Sequence, residues 1–106
     1  MVATIVGDVD LASVTMLRDR LHGHVYAGAP HLILDLAQVS LVDSAGLSML
    51  VGLRRILAAR GGMLYLAAGR PVFLELLRIT ALSSSFALHD TVADAEAAVA
   101  ASAQHP

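Results

Sequence analysis

Four short apolar runs are spaced along this chain: VATIVG at 2–7, HLILDL at 31–36, MLYLAA at 63–68 and FALH at 86–89. The segments between and after them carry apolar residues at helical spacing. Strands that alternate with helices are joined by crossover connections, and such strands run parallel. The order β-α-β-α-β-α-β-α therefore predicts an α/β fold. A single domain is expected, with a mainly parallel central sheet of about four strands and about four helices, joined by right-handed crossovers. HLILDL is nearly all apolar, which is how a strand covered on both faces reads.

Local signals suggest the boundaries. VATIVG is β-branched and closes at Gly7. In DVDLASVTMLRDRLHG, at 8–23, Leu11, Val14, Leu17 and Leu21 recur at helical spacing, with Asp10 as a good N-cap and Gly23 as a stop. AQVSLVD, at 37–43, reads as a short connection whose Val39, Leu41 and Val42 turn back on the core. The second helix is expected from about Ser44 to Arg60, with Gly61-Gly62 after it. Gly69 ends the third strand, and Pro71 suits the first turn of a helix through PVFLELLRI. SSS at 83–85 reads as a loop. Asp90 or Thr91 caps the last helix, and Thr91-Val92-Ala93-Asp94 fits a capping box. The Ala-rich tail is expected to fray near Gln104.

Composition narrows the function. The chain has 106 residues, 57% of them apolar and 15% charged, which excludes a disordered chain and suits one domain with a sizeable core. It has no cysteine, so neither disulfides nor thiolate metal chemistry is available. A net charge of -2 gives no electrostatic case for nucleic acid or an anionic membrane. A mean hydropathy of +0.70 raises the question of a membrane segment. No apolar run approaches the ~18 residues needed to span one. The longest, at 45–53, contains Ser48 and ends in Arg54 and Arg55. No leader pattern opens the chain, so a cytoplasmic protein is expected. The apolar excess must lie in the core or on a surface meant for a partner. His22 and His24 lack a nearby third ligand, and no metal site is expected.

One junction stands out. In VDSAGLSMLVGLRR, at 42–55, Ser44 lies between Asp43 and a small residue at the head of the second helix. Its hydroxyl can cap that helix. It can be a nucleophile, but the nucleophile elbow needs glycine two positions before and after the serine. Gly46 fills the second place, whereas Val42 stands in the first, and none of the histidines has a context that marks it as a base. It can be a phosphorylation switch. A phosphate is welcomed by a helix N-terminus but repelled by Asp43, so one site can offer a partner two different surfaces.

LDLAQVSLVDSAGLSMLVGL, at 34–53, resembles the signature of STAS domains, especially the anti-sigma factor antagonists, whose pattern is roughly D-L-S-x-V-x-F-I-D-S-S/A-G-L. Asp35, Leu36, Val39, Asp43, Ser44, Gly46 and Leu47 match it, and Leu41 replaces the usual aromatic. GDVD at 7–10 is similar to the family's G-E-L-D, with Asp8 for the Glu and Asp10 for the Asp. LLRITAL at 76–82 resembles L-x-x-T-G-L, with Ala81 replacing the Gly, and HDTVADAEAAV also fits. The resemblance covers nearly the whole chain, so a STAS domain is expected over residues 1–106. Such domains usually carry a longer segment and another strand before G-E-L-D. Only six residues precede Gly7 here, and an exposed sheet edge is expected there.

The resemblance implies a protein that works by binding, with no reaction and no cofactor of its own. It implies an anti-sigma factor that is also a serine kinase as partner, with Ser44 as the phosphorylated residue. Unphosphorylated antagonist binds the anti-sigma factor and frees sigma; phosphorylated antagonist lets go. A phosphatase is a further candidate partner, and a weak homodimer is left open. The alternative is a non-phosphorylated STAS adaptor, as a subunit of a lipid-transport ATPase or of a stress-sensing scaffold.

Helical projection suggests where the partner sits. At 100° per residue, Ser44, Ser48, Gly52, Arg55 and Ala59 form a narrow stripe, while Leu47, Leu50, Leu53 and Leu57 lie opposite it. Small side chains on the stripe let another helix approach. Met49 and Ile56 flank it as apolar anchors. The expected contact set is Asp43, Ala45, Gly46, Ser48, Met49 and Gly52, bordered by Asp8 and Asp10, whose loop the resemblance places near the serine.

Overall fold

The computed structural model describes residues 1–26 and 31–103. Strands and helices alternate as β1 (Val2–Val9), α1 (Val14–Tyr26), β2 (His31–Val42), α2 (Ser44–Ala59), β3 (Met63–Ala67), α3 (Pro71–Ile79), a 3₁₀ turn (Ser83–Ser85), β4 (Ala87–His89) and α4 (Val92–Ala103). The expected fraying near Gln104 lies outside the described residues. The four described strands form one sheet in the order β1-β2-β3-β4, and every neighbouring pair is parallel. β1 is an edge strand, as expected.

Three crossovers of one hand that step the sheet in one direction must share a face. Residues of α1, α2 and α3 accordingly meet one side of the sheet, where Val14, Leu21, Leu50, Leu53, Leu57, Phe73 and Leu77 pack with Leu32, Leu34, Leu36, Leu64 and Leu66. α4 covers the other side, placing Ala95 among Ile33, Tyr65 and Ala67. Ile33 and its neighbour Leu34 thus point into opposite cores, which is why HLILDL is apolar without alternation.

β2 corrects the expectation that 37–43 is a connection. The strand continues to Val42, with two irregularities in its pairing to β1: Thr4 pairs with Asp35 but Val6 with Gln38, and Gly7 pairs with Val39 but Val9 with Val42. Each step inserts one extra residue in β2. Its inward residues are therefore two apart at Leu32, Leu34 and Leu36, then three apart at Val39 and Val42. Leu41 falls on the outside, 48% exposed, where the sequence placed it in the core. β1 likewise runs past Gly7, whose φ of +93° suits glycine.

α1 is also displaced. It starts at Val14, after a turn through Leu11–Ser13, and continues through Gly23 to Tyr26. Gly23 does not stop the helix, because the next turn still buries Val25 four residues after buried Leu21. Other local signals agree with the structure. Pro71 opens α3, and the Thr91 hydroxyl accepts the Asp94 N–H at the head of α4.

Candidate functional site

The head of α2 is wedged against the ends of β1 and β2. The Asp43 N–H donates to the Val9 carbonyl at 3.1 Å, tying the two strand ends together. One turn into the helix, Gly46 sits so close to β1 that a Cβ there would lie 2.4 Å from the Val9 carbonyl oxygen and 2.9 Å from a Val42 methyl. A glycine lets the helix start flush against the strands. Gly46 is therefore a packing residue buried under the surface, which corrects its expected place in the partner contact.

The cap of α2 is Asp43, not Ser44. Asp43 has an extended backbone, and its Oδ1 accepts the Gly46 N–H at 3.0 Å. Its Oδ2 accepts the Leu11 N–H from the β1–α1 loop at 3.1 Å. The Gly46 N–H is the main cause holding the carboxyl below its ordinary 3.8; partial desolvation opposes it, and the Leu11 and Ala45 N–H groups add to it. Ser44 is consequently the first residue of the helix proper. It is exposed, and its hydroxyl has no hydrogen-bond partner among the described residues. The chain enters α2 from an extended residue without a left-handed turn, so Ser44 lacks the strained elbow of a hydrolase nucleophile.

The β1–α1 loop is ordered by a reciprocal box that sequence reading missed. The Asp10 carboxylate accepts the N–H groups of Ala12 and Ser13, both at 3.1 Å, and the Ser13 hydroxyl accepts the Asp10 N–H at 3.1 Å. That hydroxyl donates to the Asp8 carbonyl at 2.8 Å. The signal was present as Asp-x-x-Ser, a variant of the capping box. Asp10 thus caps the turn that leads into α1. Asp8 lies at the end of β1 and Asp10 at the start of the loop that the Leu11–Asp43 bond fastens to the head of α2.

Beyond that loop, α1 and α2 enclose an open groove of about 320 Å³. Ala45, Ser48 and Gly52 line it from α2, Val14 and Arg18 from α1, and Leu11 from the loop before α1. Leu47, Leu50, Leu53 and Leu57 face the core as the projection requires, while Ser44, Ser48, Arg55 and Ala59 are exposed. Gly52 is half-buried, and a Cβ there would meet nothing within 4 Å. Met49 differs from its expectation as an anchor: it is only 5% exposed and belongs to the main core. The flank of α2 that bears it is covered by α1, so only its edge reaches the groove. Leu11, 77% exposed, is the prominent apolar side chain here. It escaped sequence reading because its spacing assigned it to the buried face of a helix that begins three residues later.

Among the described residues, no cluster of His, Asp and Glu is placed to hold a metal ion. No described helix is long and apolar enough to cross a membrane. Residues 1–95 match the family model for the STAS domain. The chain belongs to the STAS family. Its fold is that of solved STAS proteins. A crystal structure of an anti-sigma factor antagonist from Mycobacterium paratuberculosis is 28% identical with a TM-score of 0.83, covering 92% of this chain and 83% of that one. The anti-sigma factor antagonist SpoIIAA in its unphosphorylated form is 23% identical with a TM-score of 0.81, over 94% of this chain and 87% of that one. The Bacillus cell fate determinant SpoIIAA in its phosphorylated form is 23% identical with a TM-score of 0.71, over 92% and 88%. The two SpoIIAA likenesses carry the fold. In this STAS domain the D-S-A-G-L segment forms the cap and first turn of α2.

Proposed function

We propose that this STAS domain is an anti-sigma factor antagonist, that it acts in the cytoplasm by reversible binding, and that phosphorylation of Ser44 switches it off. The carrying observation is the division of labour at the head of α2. Asp43 does the capping, so the Ser44 hydroxyl is exposed and uncommitted. A kinase can therefore modify it without dismantling the helix. The antagonist from Mycobacterium paratuberculosis supports the class. SpoIIAA, a protein of the same fold, exists in both unphosphorylated and phosphorylated forms, which supports the kind of switch.

The partner is an anti-sigma factor that is also a serine kinase and brings its own ATP; a phosphatase restores the free hydroxyl. The STAS domain, taken as residues 1–106, carries out no reaction. Its contact surface centres on Ser44, Ala45, Ser48 and Gly52, extends across the groove to Leu11, and is bordered by Asp8, Asp10 and Asp43. Gly46 and Met49 support this surface from beneath. A phosphate on Ser44 gains from the helix N-terminus, so the fold survives. Its charge must be desolvated against the partner and stands beside Asp43, so association fails.

A native pulldown of the full chain, with mass spectrometry of the captured proteins and of the Ser44 peptide, tests this reading. A small serine kinase together with phosphate on Ser44 is the expected result. Transport-ATPase or scaffold subunits with Ser44 unmodified would replace it with the adaptor reading.

A further inference from the structure

α3 carries an apolar face that its own fold leaves uncovered. Phe73 and Leu77 point into the core, but Val72 and Ile79 are 68% and 67% exposed. Together with half-buried Leu76 and exposed Leu41 from the end of β2, they surround a shallow depression of about 530 Å³. Among the described residues, the one charged side chain that lines it is Glu75, and that carboxylate is already paired with Arg78 on the same helix.

We propose that this face is a self-association surface, on which a second copy of the chain packs its own α3 antiparallel about a two-fold axis near Leu76. Charge and register both favour an identical copy. A face with net charge repels itself, whereas this one is neutralised by its own Glu75–Arg78 pair. Val72 and Ile79 are seven residues apart, two turns of one stripe. In the antiparallel arrangement each Val72 meets the Ile79 of the other copy, so all four exposed side chains are covered at once. The rims then coincide. Glu75 of one copy then stands one residue step in height from the other copy's Glu75 and two steps, about 3 Å, from its Arg78, so two carboxylates and two guanidinium groups share one rim with no net charge. α3 has only nine residues. The contact falls short of the ~1,200 Å² of a standard stable interface, so the dimer is weak and concentration-dependent. The inference is independent of the proposed switch, which uses the groove between α1 and α2.

Sedimentation of the full chain over a wide concentration range tests the surface. A monomer–dimer equilibrium is expected, weakened at least tenfold by Ile79→Glu and by Val72→Glu, with unchanged circular dichroism because both positions are exposed. Leu11→Glu, on the other groove, is expected to leave it unaltered. The register has its own test, since the chain has no cysteine. A mixture of Val72→Cys and Ile79→Cys proteins should oxidise to the mixed disulfide at least tenfold faster than Val72→Cys alone. Two copies of position 72 are separated by seven residue steps, about 10 Å in height, beyond disulfide reach. A chain that stays monomeric throughout assigns the face to another occupant and overturns the proposal. So does a dimer indifferent to both glutamate variants, one abolished by Leu11→Glu, or equal rates of the two disulfides.

Discussion

The Asp43 carboxylate joins the head of α2 to the β1–α1 loop: one oxygen caps α2 at Gly46, and the other accepts the Leu11 N–H at 3.1 Å. Both bonds favour the ionised form, so the carboxyl titrates below its ordinary 3.8 in the folded chain. A carboxyl whose folded value is depressed adds stability above the unfolded value, and that stability is lost as pH falls through the folded value. Wild type should therefore lose stability on acidification below 3.8. Asp43→Asn removes this titration. Urea unfolding across the acid range should show a flatter limb for the variant from this site, and a lower midpoint at neutral pH. An identical acid limb in both proteins would show that the bridge adds nothing to stability.

Two glycines six residues apart on α2 should respond with opposite signs. At Gly46 an added methyl meets the Val9 backbone oxygen, which cannot swing aside. Gly46→Ala should cost about 1–3 kcal/mol, the range for overpacking. At Gly52 the methyl enters open space, and Gly52→Ala should add roughly 0.5–1 kcal/mol through helix propensity. Thermal melts of the two variants read the signs directly. A folded Gly52→Trp protein is also expected to lose its partner by steric overlap in the groove; normal binding by that variant would move the interface elsewhere.

Leu34 is 0% exposed in the main core between two parallel neighbours. Leu34→Asp places an unpaired carboxylate there, at a cost of several kcal/mol, and should unfold the domain. Retention of the wild-type melting temperature would remove Leu34 from the core.

The sheet was legible because Ile33 and Leu34 answer to two different cores, and no alternating surface strand needs both to be apolar. The length of β2 was not, because two inserted residues shift its inward positions from every second to every third, and AQVSLVD then loses the strand period. Gly23 misled for a related reason: a local stop signal yields where Val25 can still be buried. At the site, the position of Ser44 at the head of α2 was legible, and which residue caps the helix was not. Two good capping residues stood side by side, and only the extended backbone at Asp43 decides between them. Met49 read as a surface anchor because projection of one helix cannot show that α1 will cover that flank.

The junction at Ser44 has its own prediction. Because Asp43 caps the helix, Ser44→Ala removes an exposed hydroxyl with no partner among the described residues, and stability should change by no more than ~0.5 kcal/mol. That variant should keep its partner yet accept no phosphate. Ser44→Asp adds a charge at the helix N-terminus, where the dipole favours it, so it should fold as wild type does. In the interface the same charge must shed its water beside Asp43, and binding should weaken at least tenfold, roughly 1.4 kcal/mol. Calorimetric titration of the purified kinase partner against the three proteins gives the affinities, and phosphopeptide mapping gives the site. Phosphate transfer to Ser44→Ala at the wild-type rate would disprove the site. Equal affinity of phosphorylated and unphosphorylated wild type would sink the switch and leave the adaptor reading in its place.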